Sequence, residues 1–171
     1  MTTLSLWYGR LLEAMLSIAC LLLLAMTLLI GADVLLRNIG AGGIPPSNEL
    51  SEDLLYLVTL LAAPALLRLG QHIRVDIILR VLPEKLGWAL EWVADIIGLI
   101  CCLYFVWYGA GVVAASYASG ALSIKTLIMP EWWILAPMPV VFVLLAIEFI
   151  FRMHRLALSE RKIRDEAVSA S

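Results

Sequence analysis

Charge is the scarcest property of this chain: 15% of its 171 residues are Asp, Glu, Lys or Arg, while 63% are hydrophobic. A soluble domain of this length could not cover so much apolar surface, so the composition excludes an aqueous globular protein and requires a membrane. Long polar stretches are also missing, which leaves no chain for a separate aqueous domain, and residues 1–171 read as a single membrane domain. A formal net charge of −2 lacks the basic excess that nucleic acid selects and excludes it as a partner. Cysteine occurs three times and histidine twice. Cys20, Cys101 and Cys102 fall inside apolar runs, where they read as small buried side chains, and the adjacent pair points ~100° apart on a helix, which suits neither a disulfide nor a metal site. No HExxH, GxSxG, P-loop or Cys/His cluster is present. The chain therefore reads as a non-enzyme without a cofactor or metal.

What the chain has in quantity is apolar sequence. Four spans are expected at about 11–36, 48–69, 88–117 and 131–152, each long enough at ~1.5 Å per residue to cross a ~30 Å hydrocarbon core. The fold class that follows is an all-α integral membrane protein with four transmembrane helices. The first run exceeds a signal-peptide core and lacks a convincing cleavage site, so it is expected to remain. Between spans two and three, Ile73, Ile77 and Val81 line one side with Ile78 and Leu82, while Arg74, Asp76 and Arg80 stay off it. That pattern predicts an amphipathic interfacial helix over about 73–82, lying among the membrane lipids. Residues 38–48 and 120–129 read as loops, and 153–171 as a polar tail. Pro137 and Pro139 are expected to bend span four, and Pro64 bears on the straightness of span two.

The ionisable residues crowd the span boundaries. Asp33 and Arg37, and likewise Glu148 and Arg152, are spaced i, i+4 with the acid first, the better order for a structural ion pair. Glu49, Glu52 and Asp53 form one polar face at the start of span two, explained either by helix-start electrostatics or by contacts with a partner. Glu91 and Asp95 are either solvated at the interface or paired with Arg68, Arg74 or Arg80. Gly111, Ala115 and Ser119 make a small-residue seam, open to packing inside this chain or to contact with another. Arg10, Arg68, Arg74, Arg80, Lys85, Arg152, Arg155, Arg161, Lys162 and Arg164 fall on the side of the termini, against Arg37 and Lys125 on the other. By the positive-inside rule both termini are expected in the cytoplasm, in a bacterial inner membrane.

GQHIRVDIILRVLP after an acidic-headed helix, with Asp33-Val34-Leu35-Leu36-Arg37 before it and Ile128-Met129-Pro130-Glu131-Trp132 after it, resembles the small membrane subunit of tripartite ATP-independent periplasmic (TRAP) transporters. This is the Q, or DctQ-like, component. The resemblance runs over about residues 11–152, with His72, Arg74 and Asp76 as signature residues. It implies a large membrane subunit holding the substrate and sodium sites, and a periplasmic solute-binding protein that delivers an organic acid. It further implies that this chain scaffolds the large subunit, through candidate contacts at Glu49, Glu52, Asp53, Gly111, Ala115 and Ser119. The rival reading is a membrane anchor of a b-type haem or quinone-reactive complex, with His72 and His154 as ligands. Both histidines follow spans instead of facing into a bundle, and His72 stands where it can cap the preceding helix. A stand-alone transporter would need polar, broken helices at mid-membrane, where this sequence is nearly all apolar.

Overall fold

The computed structural model describes residues 2–40, 42–69, 84–124 and 128–158. The expected interfacial helix over 73–82, the signature residues His72, Arg74 and Asp76, and the tail from residue 159 lie outside the described residues. The elements in chain order are α1 (Thr2–Asn38), α2 (Ser47–Arg68), α3 (Glu84–Ser119), β1 (Leu122–Ile124), β2 (Ile128–Pro130), α4 (Glu131–Leu135) and α5 (Pro137–Leu158). Four helical stretches are long and apolar enough to cross a membrane: Trp7–Asn38, Ser47–Arg68, Leu86–Ser119 and Glu131–Ala157. The protein is thus an all-α multi-pass membrane protein.

The local departure from the sequence reading lies at residues 120–130. The expected loop contains an antiparallel hairpin that pairs Leu122 with Pro130 and Ile124 with Ile128. Gly120, at φ +61°, turns the chain out of α3, a conformation that favours glycine. The β-branched Ile124 and Ile128 suit the paired backbone, and Pro130 sits at a strand end, where a missing N–H is tolerated. Glu131 N–H donates to Ala121 O at 3.1 Å and joins the hairpin to the helix that follows. Span four is loosened where the prolines enter it, as expected: α4 ends at Leu135, Ala136 N–H closes it on Trp132 O at 2.9 Å, and Pro137 opens α5. By contrast, α2 runs unbroken through the buried Pro64.

The helices follow a row. α1 packs on α2, α2 on α5, and α5 on α3, so α1 and α3 form the two outer flanks. On α1 the buried Leu12, Ala19 and Asp33 are separated by multiples of seven residues, and the half-buried Tyr8, Met15, Leu22, Leu29 and Leu36 form a second seven-residue series beside them. On α3 the buried Asp95, Cys102, Gly109 and Ser116 repeat every seven residues as well. A heptad seam of this kind keeps one stripe of each helix against its neighbour, the geometry of left-handed membrane bundles. The core joins Leu60 and Leu67 of α2 to Cys102 of α3 and Val141, Leu145 and Ala146 of α5. Phe105 stacks on Phe142 with centroids 4.7 Å apart.

Most other apolar side chains point outward, as lipid contact allows; Trp107 is 78% exposed. Hydroxyls on those surfaces are satisfied by their own helix. Ser17, Thr27 and Thr59 donate to the carbonyls of Glu13, Leu23 and Leu55 at 2.9, 2.9 and 2.8 Å, which removes the cost of a bare polar group in hydrocarbon.

Gly98 lets α3 lie close against Phe149 of α5, because a Cβ there would overlap the Phe149 ring. Gly98→Ala is expected to destabilise the protein by about 1–3 kcal/mol through overpacking, whereas Gly111→Ala, with nothing within 4 Å of the added carbon, is expected not to destabilise it, since alanine is the better helix former. Thermal unfolding in detergent checks this, and equal melting temperatures for the two variants would contradict the α3–α5 packing.

Candidate functional site

Polar groups gather at both ends of the bundle. At the end that carries the N-terminus of α1, the side chains of all four long helices are tied together. Arg152 of α5 reaches Asp95 of α3 at 3.1 Å, with the two residues only 8% and 1% exposed. Glu148, fully buried, accepts from Arg155 Nη2 at 2.7 Å. Trp88 Nε1 of α3 donates to Leu156 O of α5 at 3.4 Å. Tyr8 of α1 donates to Leu144 O at 2.8 Å and sets its ring edge-on to Phe151 at 5.5 Å. The Arg68 guanidinium of α2 lies 5.7 Å from the Tyr8 ring centroid, and that of Arg152 lies 5.8 Å from the Phe149 ring centroid.

This arrangement adds to the pairings expected from spacing. Arg152 reaches across the helices to Asp95, and Glu148 takes Arg155, two turns along its own helix. Asp95, expected either to be solvated or to pair with a nearby base, is paired, and one of its cations is Arg152 of α5. The reason is desolvation. A carboxylate as buried as Asp95 is costly without a cation against it, and Arg152 stands on the α5 stripe facing α3, whereas Arg155 stays near enough to the surface to serve Glu148 while its side chain remains 41% exposed.

At the opposite end, Asp33 is buried and fastens the loop between α1 and α2. Its Oδ2 lies 2.9 Å from Arg37 Nε, and its Oδ1 accepts Ile44 N–H at 2.6 Å. Gly43 is required here on two counts. Its φ is +75°, and a Cβ would meet Arg37 Cγ at 2.8 Å and Asp33 Oδ1 at 2.9 Å. Of the acidic face that follows, Glu52 is exposed while Glu49 and Asp53 are half-buried, and all three take part in interactions of their own.

The small residues Gly111, Ala115 and Ser119 are all exposed. Gly111, with nothing among the described residues within 4 Å of an added Cβ, lies away from the stripe of Asp95, Cys102 and Gly109 that packs toward α5, and Ser119 Oγ turns back on the Ser116 carbonyl at 3.2 Å. Sequence reasoning missed Tyr8, Asp95 and Arg152 as one connected cluster; the seven-residue recurrence of small or polar residues on α3 was the available signal. The other large concavity, about 830 Å³ between α1, α2 and α5, is lined by apolar residues such as Leu11, Met15, Leu57, Leu61 and Val141, with Trp132 and Trp133 at one end. It offers an organic anion no cation. Among the described residues no group of three or more His, Cys, Asp or Glu could hold a metal ion.

A family model described as tripartite ATP-independent periplasmic transporters, DctQ component, matches residues 26–158. The matched stretch runs from the middle of α1 to the end of α5. No curated protein matches the chain.

Removing one partner of the Asp95–Arg152 pair strands a buried charge. Arg152→Leu is expected to cost about 3–5 kcal/mol, and the double variant Asp95→Leu with Arg152→Leu to recover much of that loss. Thermal unfolding of the single and double variants measures it, and a double variant no more stable than the single one would contradict the pairing.

Proposed function

Because the chain belongs to the DctQ component family of tripartite ATP-independent periplasmic transporters, we propose that it braces a large transport subunit in the membrane and helps dock a periplasmic solute-binding protein. On this reading the large subunit carries the substrate and sodium sites, and the complex takes up an organic acid down the sodium gradient. The family is one of transporter components and not of enzymes, and the role assigned to this chain is mechanical. The observation that carries it is the open outer face of α3. Gly111, Ala115 and Ser119 stand there at four-residue spacing, all exposed among the described residues, and a seam of this kind lets a second helix approach closely. The arrangement of the ionisable groups supports the same reading, since the buried Asp95, Arg152 and Glu148 are engaged in pairs that hold helices together.

Docking falls to the opposite end of the bundle. With both termini in the cytoplasm, as the positive-inside rule directs, the Asp33-fastened loop and the acidic face of Glu49, Glu52 and Asp53 stand at the periplasmic surface. Complementary charge there mainly raises the association rate and makes it salt-dependent. Single-cysteine labelling at position 42 tests this placement, because labelling only after the inner membrane is breached would overturn both the orientation and the docking role.

The bracing contact is tested by Ala115→Leu, which fills the seam without touching the α3–α5 core. Interhelical contacts in membranes contribute ~1–2 kcal/mol or less, so the variant is expected to keep its own thermal stability while less of the large subunit co-purifies. Unchanged co-purification would contradict a contact at that face.

A further inference from the structure

We propose that the cavity between α1, α2 and α5, at the end of the bundle carrying the N-terminus of α1, binds the headgroup of an anionic phospholipid. The cavity has a volume of about 390 Å³, and the charged groups in its lining are Arg10, Arg68, Arg155 and Glu13. Three guanidinium groups from three helices thus face one carboxylate. Guanidinium forks match phosphate oxygens in pairs, and basic pockets between membrane helices suit anionic headgroups.

The depth of the site fits a headgroup. Arg10 immediately precedes the apolar run of α1, and Arg68 is the last residue of α2, so both lie where hydrocarbon gives way to the polar interface. Gly9 shapes the cavity wall: a Cβ there would lie 3.1 Å from Arg68 Nη2, so its absence lets that guanidinium lie against α1 beside Tyr8. Arg155 serves Glu148 with Nη2 and still keeps 41% of its side chain exposed.

A lipid accounts for more of the site than a free phosphate does. Leu12, Leu16, Ala65 and Leu69 complete the lining, and exposed Cys20 and Leu23 continue the same side of α1 toward mid-membrane. A phosphate has no use for that wall, whereas an acyl chain covers it. The occupant is therefore a phospholipid with net negative charge, its phosphate among the arginines and its chain along α1.

The test uses the full chain, purified from its membrane and delipidated in detergent. Dioleoylphosphatidylglycerol, dioleoylphosphatidylcholine and inorganic phosphate are each added, and bound molecules are counted by native mass spectrometry. Phosphatidylglycerol is expected to bind in preference to phosphatidylcholine and to resist competition by inorganic phosphate. Arg10 is exposed and remote from the core, so Arg10→Gln is expected to fold normally and to weaken phosphatidylglycerol binding about fivefold, the effect of one cation near an anionic lipid surface. Gly9→Leu keeps every charge, crowds Arg68 and is expected to abolish the preference. Equal binding of the two lipids, displacement by inorganic phosphate, or unchanged binding to a folded Arg10→Gln protein would each overturn the proposal.

Discussion

Hydrocarbon offers a polar group no partner, and this constraint decides the rest of the structure. Hydroxyls on the outer faces turn back onto their own helices. Carboxylates that enter the bundle carry a cation with them, as Asp95 does with Arg152 and Glu148 with Arg155. The middle of the bundle is left to apolar contact, where Gly98 admits Phe149 and Gly109 admits Pro139. The result is a row of helices joined electrostatically at one end, fastened at the other by Asp33 and packed through small and aromatic residues between.

The row has a consequence for association. A closed four-helix ring would use both sides of every helix, whereas among the described residues the close packing of α1 is chiefly with α2 and that of α3 chiefly with α5. On α3 the exposed positions include the small residues Gly111, Ala115 and Ser119. A subunit built this way remains rigid within itself and still presents a surface that a neighbouring helix can approach closely.

Much of this was legible in the sequence. The spans announce themselves by composition, and the charged residues that bound them, Asp33, Arg37, Asp95, Glu148 and Arg152, stand out because almost nothing else near them is polar. The Asp33–Arg37 pair was legible from its spacing, whereas the pair between helices was not: spacing along α5 says nothing of the facing helix, and α3 brings Asp95 to Arg152. The α3 seam was hidden for a related reason: outer and inner faces are both apolar in a membrane, so hydropathy does not mark the stripe of Asp95, Cys102, Gly109 and Ser116. The small residues at 111, 115 and 119 were visible, but only the packing of the helices shows that all three stay exposed among the described residues. The hairpin at 122–130 escaped because its strands are three residues each, too short for alternation to register.

The central claim is that the open face of α3 meets the large subunit of the transporter. A photo-crosslinking residue placed in turn at positions 111, 115, 119 and 102 of the chain, in its native membrane, tests it most directly. Crosslinks to a large hydrophobic membrane protein from 111, 115 and 119, with none from the inward-facing 102, are the predicted result. A pattern in which those three positions capture only lipid while other helices capture the large subunit would contradict it.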